Sequence, residues 1–239
     1  MKIRSMVLIL SVAASRCGAQ KTVNGAMLWL SAFGDNPIAD KTALTWDVQA
    51  RRAEFGETWQ LLIGSVGITR EVSPHWKVAA ALGWSHGYRY GAFPARSNSF
   101  ELRPFVQVLG NRKVGDWAWT DRMRAEFRVI RPIGEFAPPD PDWAKTVVRL
   151  RRQDKFQHAL TAKSVWYGVL GQEVFVNVAP AATRVAMLEQ LRWQAVIGHQ
   201  VSKFNRVEAG YGLQRLNRKG GYEMNHALLL YFRTSAPLR

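Results

Sequence analysis

The stretch Arg122-Met123-Arg124-Ala125-Glu126-Phe127-Arg128-Val129 decides the fold. Charged residues stand at 122, 124, 126 and 128, and apolar ones at 123, 125, 127 and 129. A strand sends successive side chains to opposite faces. One face of this segment therefore carries three arginines and a glutamate, and the other Met, Ala, Phe and Val. Such charges cannot sit in a dry core at acceptable cost unless they are hydrated or paired. The opposite face needs a wide apolar surround. A β-barrel in a membrane offers both, a polar interior and a lipid-facing outside.

The same alternation recurs along the chain. Eleven strand-like segments bounded by turn residues can be marked, at 25–33, 42–55, 58–71, 76–90, 98–109, 117–131, 145–154, 162–178, 188–202, 205–216 and 222–233. Most are longer than the ~5–6 residues usual in soluble strands and close to what a tilted membrane strand needs. Separators include Gly34-Asp-Asn-Pro37, Ser73-Pro74, Gly110-Asn-Arg112 and Asn217-Arg-Lys-Gly-Gly221, with a proline-rich break from Pro132 to Trp143. Bacterial single-chain barrels normally have an even strand count, so eleven is expected to be off by one. Either the first segment is not a barrel strand, or two are fused near 145–178. The expected fold is an all-β, antiparallel, up-and-down transmembrane barrel of 10–12 strands, with one domain at 20–239.

The alternation sorts the side chains. The expected interior holds Asp47, Gln49, Arg51, Glu101, Arg103, Gln107, Arg122, Arg124, Glu126, Arg128, Arg149, Arg151, Glu173, Asn177, Gln190, Arg192, Gln194 and Glu208. The expected lipid face holds runs such as Val78-Ala80-Leu82-Trp84, Leu191-Trp193-Ala195-Ile197 and Val207-Ala209-Tyr211-Leu213, with Trp46 and Val48. A slip of one residue would exchange the faces. Arginine and glutamate on neighbouring strands can pair across the interior, so these residues either fill a small barrel or line a path for anions. Trp29, Trp59, Trp76, Tyr88, Tyr90, Trp117, Trp119, Trp143, Tyr222 and Tyr231 lie near segment ends, where aromatic rings favour the membrane–water interface.

Residues 1–19 have the form of a secretory signal: Lys2 and Arg4, an apolar stretch from Met6 to Ala14, then Cys17-Gly18-Ala19 before Gln20. A lipoprotein cut before Cys17 is the rival reading, although Arg16 stands where a small residue belongs. Cys17 is the single cysteine, so after the first cut no disulfide or cysteine site remains. The net charge of +15 includes three cations in that segment, which leaves about +12. The arginines are spread among strands and form no basic tract, which argues against nucleic acid and for anionic head groups or an anion-preferring interior.

The chain resembles an uncharacterised family of bacterial outer-membrane β-barrels known only as a domain of unknown function. The marks, in order, are Trp29, Arg51, Gly87-Tyr88, Glu101-x-Arg103 with Gln107, the Arg122-x-Arg-x-Glu-x-Arg128 ladder and Arg149-x-Arg151. Glu173-x-Phe175-x-Asn177, Arg192, Glu208-x-Gly210-Tyr211 and Asn225-His226 follow. The resemblance covers nearly all of 20–239. It implies the outer membrane of a Gram-negative cell and no assigned activity. The partners expected are outer-membrane lipid and, during biogenesis, periplasmic chaperones and the barrel-assembly machinery, and the barrel is expected to be a monomer. One departure is the seven-residue tail, Arg233 to Arg239, after the aromatic Phe232.

Other chemistry is weaker. Gly83-Trp-Ser85-His-Gly87 matches the serine-hydrolase pattern G-x-S-x-G, but that pattern needs a strand-to-helix turn, and adjacent Ser85 and His86 on a strand face opposite sides. A membrane-embedded lipid hydrolase would need a serine and a histidine on one face; Ser73 and His75 have that spacing but flank Pro74. Glu135, Asp140 and Asp142 could grip calcium. No zinc-helix or Walker pattern is present, so no cofactor or metal is expected. A soluble ligand-binding barrel with the tryptophan-rich face inside is the remaining alternative. The expectation is a non-enzymatic outer-membrane barrel, structural or a narrow, porin-like pore for small solutes, anions among them.

Overall fold

The computed structural model describes residues 21–135, 145–160, 165–178, 187–218 and 220–238. They form strands β1 (Lys21–Ala39), β2 (Thr42–Ala53), β3 (Thr58–Ser73), β4 (Trp76–Gly87), β5 (Asn98–Val114), β6 (Trp117–Ile133), β7 (Lys145–Ala159), β8 (Trp166–Val178), β9 (Leu188–Gln200), β10 (Asn205–Arg218) and β11 (Gly221–Thr234). A short 3-10 turn, Glu54–Gly56, joins β2 to β3. The strands close into one barrel in the order β1-β11-β10-β9-β8-β7-β6-β5-β4-β3-β2. The expected signal at 1–19, Trp143, Asp140 and Asp142 lie outside the described residues.

Eleven is the true count, and the expectation of an even number is corrected. Consecutive strands alternate in direction, so an odd number leaves the first and last pointing the same way. Closure must then be parallel. Ten neighbouring pairs are antiparallel, while β1 runs parallel to β11 from Lys21↔Gly221 to Gly34↔Thr234. The first segment is therefore a full barrel strand, and 145–178 holds two strands as marked.

Two expected turns are strand instead. Gly34-Asp-Asn-Pro37 stays in β1: the Trp46 indole lies over Gly34 and donates to Asn36 Oδ1 at 2.8 Å, and Pro37 falls at a register shift. Gly110 stays in β5, where its bare backbone leaves room for the Asp121 carboxylate directly opposite. The reversal comes later, at Gly115, whose φ of 60° suits a two-residue hairpin between Val114 and Trp117.

Register partners measure the stagger. From Trp29 they lead one way through Arg51, Leu61, Gly87 and Ser99 to Pro132. The other way they lead through Leu229, Gly210, Val196, Val169 and Gln157 to Ala118, fourteen residues from Pro132 on the same strand. With strands ~4.8 Å apart and ~3.3 Å per residue, this stagger gives a tilt of about 40° and a backbone radius of about 11 Å.

The connections divide by end. Residues 40–41, 74–75, 115–116, 160–165 and 201–204 join strands at one end, the turn end. Residues 54–57, 88–97, 134–144, 179–187 and 219–220 join them at the other, the loop end. The tail binds at the turn end: Asn36 Nδ2 donates to the Ala236 carbonyl at 2.7 Å, and the Leu238 amide to that of Pro37 at 3.1 Å.

All eleven strands present large apolar side chains outward, among them Leu30, Val48, Val66, Leu82, Val106, Phe127, Leu150, Leu170, Ile197, Val207 and Leu230, each about 40% exposed or more. The buried set is mixed, with Met27, Phe175 and Leu229 beside Arg51, Glu126, Arg149 and Asn225. The charged face is inside and the tryptophan-rich face outside, which reverses the soluble, inverted alternative.

Candidate functional site

Strands β5 to β9 place their inward residues at neighbouring heights, and the result is a lattice of ion pairs. Glu126, with a fully buried side chain, is its centre. Arg149 Nη2 approaches Glu126 Oε2 at 2.5 Å and Arg151 Nη1 its Oε1 at 2.6 Å, with Arg124 at 3.6 Å and Arg103 at 4.0 Å. Glu173 takes Arg122 at 2.6 Å, Arg151 at 2.7 Å and Arg192 at 3.8 Å. Glu101 receives Arg103 Nε at 2.6 Å and a two-pronged contact from Arg128, Nε and Nη2 each at 2.8 Å. Paired forks of this kind are the strong form of the interaction.

Ten of the eighteen residues expected to point inward, Glu101, Arg103, Arg122, Arg124, Glu126, Arg128, Arg149, Arg151, Glu173 and Arg192, belong to this lattice. Glu208 stands apart, taking Arg233 Nε at 2.9 Å and the Tyr167 hydroxyl at 2.9 Å. Arg51 has no carboxylate among the described residues. Its guanidinium lies 4.1 Å from the Trp29 ring, and Nη2 donates to Gln49 at 2.8 Å. Arg192 lies over the other part of the same neighbourhood, 5.3 Å from Trp29 and 4.4 Å from Phe175.

Alternation alone missed several contributors. Glu189 has the parity of the lipid face, yet it accepts from Arg149 Nη1 at 2.9 Å and pairs with Arg128 at 3.4 Å. The cause is a bulge: Phe175 pairs with Gln190 but the next residue, Val176, pairs with Leu188, so Glu189 turns inward. Lys155 and Arg233 also face the interior; Lys155 keeps the parity of Arg149 and Arg151 but lies just past the marked segment 145–154. Trp29 and Tyr231, expected at the membrane rim, are interior too: Trp29 shares the inward face of Ser31 and Phe33, and Tyr231 that of Leu229 and Arg233. Trp59, Trp76 and Trp117 face outward near strand ends.

Seven arginines share four glutamates in the lattice. Arg51 and Lys155, without carboxylate partners among the described residues, add to the positive excess. A cavity of about 750 Å³ runs beside these groups, from Asp35, Lys77 and Ser235 at the turn end to Ser99 and Ile130 near the loop end. Elsewhere the interior toward the loop end is filled: Asn225, Asn177, Gln214 and Val147 are almost completely buried. Residues 88–97 reach across that mouth. Arg218 Nη2 donates to the Tyr90 hydroxyl at 3.1 Å, and the Phe93 ring lies against Gly221.

The hydrolase pattern does not assemble at Ser85. Its side chain is inside, accepting from Arg103 Nη2 at 3.3 Å, while His86 stacks on Tyr88 at 4.3 Å. At Ser73 and His75 the contact is from the His75 backbone amide.

The fold and interior thus define a closed, charge-filled β-barrel. The chain belongs to the family described as "Protein of unknown function (DUF2490)", whose model matches residues 26–225. No curated protein and no solved structure matches the chain.

Proposed function

We propose that the chain is an outer-membrane β-barrel of a Gram-negative cell, exported by its N-terminal signal, whose interior is a narrow, arginine-lined passage for small anions. The observation that carries the membrane reading is the apolar belt on all eleven strands. Water-soluble monomers rarely expose apolar patches beyond a few hundred Å². The tilt and the outward tryptophans near strand ends fit the same reading. Short turns are periplasmic in such barrels, so the turn end faces the periplasm and the loop end the outside. The excess of arginine along the cavity favours anions, and no catalytic role is assigned to it.

Two measurements test this. In the outer-membrane fraction the protein should migrate differently on a gel with and without boiling, as a closed barrel does. Reconstituted in a planar bilayer, it should give a small, anion-preferring conductance that loses its preference in Arg51→Gln/Lys155→Gln. A soluble protein without a mobility shift contradicts the membrane reading, and a membrane barrel without conductance contradicts the passage.

A further inference from the structure

The lipid-facing belt carries a cluster of four charged side chains, Arg112, Asp121, Arg152 and Asp154, on β5 to β7. Asp121 on β6 pairs in register with Asp154 on β7, and Asp154 with Gln172 on β8. Register partners share a face of the sheet, and here that face is the outer one. Trp119 donates its indole N–H to Asp154 Oδ1 at 3.2 Å and stacks on the outward Phe156. Arg152 binds Asp154 at 3.1 Å, and its Nη1 lies 3.9 Å from the outward Met123 sulfur. Arg112 reaches Asp121 at 3.3 Å and lies over the Trp76 and Trp119 rings.

The patch is deeper than the aromatic rim. Asp121 is two residues inward of Trp119, and Arg152 is four inward of Phe156. At ~3.3 Å per residue and a tilt of about 40°, these positions lie about 5–10 Å inside the rim. Hydrocarbon cannot solvate such groups, and ionisable residues at that depth mark places where something other than lipid tail is met. The internal pairing is incomplete. Two aspartates stand side by side, and the Asp121 carboxylate takes a single hydrogen bond, on Oδ1, among the described residues. Both arginines are close to half exposed, while the aspartates they hold, Asp121 and Asp154, are only 9% and 12% exposed beneath them.

We infer that the outer face of β6 to β8, centred on Asp121, Arg152 and Asp154, is the contact surface for a second copy of this chain; the inference rests on the membrane reading. The patch holds two arginines and two aspartates and is neutral, so it complements itself. Two copies inserted in one membrane share their orientation, and a two-fold axis relating them must run along the membrane normal. Each residue then meets the partner at its own depth. With the axis between β6 and β7, β6 of one copy faces β7 of the other. Arg152 of each copy comes opposite the under-bonded Asp121 carboxylate of the other, and the pairing is made twice. On this inference the barrel is a dimer, in place of the monomer expected from the sequence.

The test is cysteine cross-linking in native outer membranes. Met123→Cys sits in the patch, Val66→Cys on β3 across the barrel, and the parent chain is the blank. Oxidation should give a homodimer for Met123→Cys alone, reduced at least tenfold when Asp121→Asn and Asp154→Asn are added. The boiled and unboiled mobilities of every variant show that the barrel has formed. Equal cross-linking at Val66→Cys, no cross-link at Met123→Cys, or an adduct with a different protein each overturns the pairing while leaving the membrane reading intact. Insensitivity to the two Asn substitutions overturns the role of the charges. Absence of the protein from the membrane fraction overturns the reading beneath both.

Discussion

At the scale of residues, Glu126 is the keystone of the interior, because four arginines converge on one fully buried carboxylate. Removing one partner of a buried pair leaves uncompensated charge and costs about 3–5 kcal/mol. Glu126→Gln should therefore lower the urea stability of the micelle-bound barrel by an amount of that order. Ser85→Ala, which removes one neutral partner of Arg103, should cost about 1 kcal/mol. Equal losses would show that the lattice is no tighter than an ordinary polar contact. The arginine ladder and its cross-strand partners were legible in the sequence because period two sorts side chains by face. Glu189 was not, since a bulge inverts its parity. Asp121 and Asp154 stand among outward residues by the same parity, but their register across β6 and β7 is visible only in the folded sheet.

At the scale of elements, the segment between β4 and β5 lies across the loop-end mouth. Tyr90 is held by Arg218, and burial pushes its phenol up to about 12. The sign follows from linkage: a raised phenol value stabilises the closed segment fully below the ordinary value of 10, and that contribution is lost as pH climbs toward 12. Between these limits the released phenol ionises and the closed one does not. Conductance should therefore rise between pH 10 and pH 12, and Tyr90→Phe should abolish that rise. A variant that keeps the parent's pH profile would place the gate elsewhere. Strand positions were readable to within a few residues. At the ends of β1 and β5 a glycine taken for a turn serves another purpose: Gly34 lies under the Trp46 ring, and Gly110 makes room for Asp121.

At the scale of the whole molecule, the parallel seam between β1 and β11 is the feature that no periodicity announces. Alternation is identical in parallel and antiparallel strands, so the direction of closure follows only from the count. Eleven strands put Lys21 at the loop end and Thr234 at the turn end, whereas an even barrel would bring both to one side. The central claim is that this closed sheet is inside-out relative to a soluble protein, charged within and apolar without. The most direct measurement is a nitroxide scan of residues 122 to 129, one cysteine variant at a time, in reconstituted bilayers. Collision rates with lipid-dissolved oxygen should peak at 123, 125, 127 and 129 and fall at 122, 124, 126 and 128. A flat profile, or maxima at the charged positions, would contradict the account.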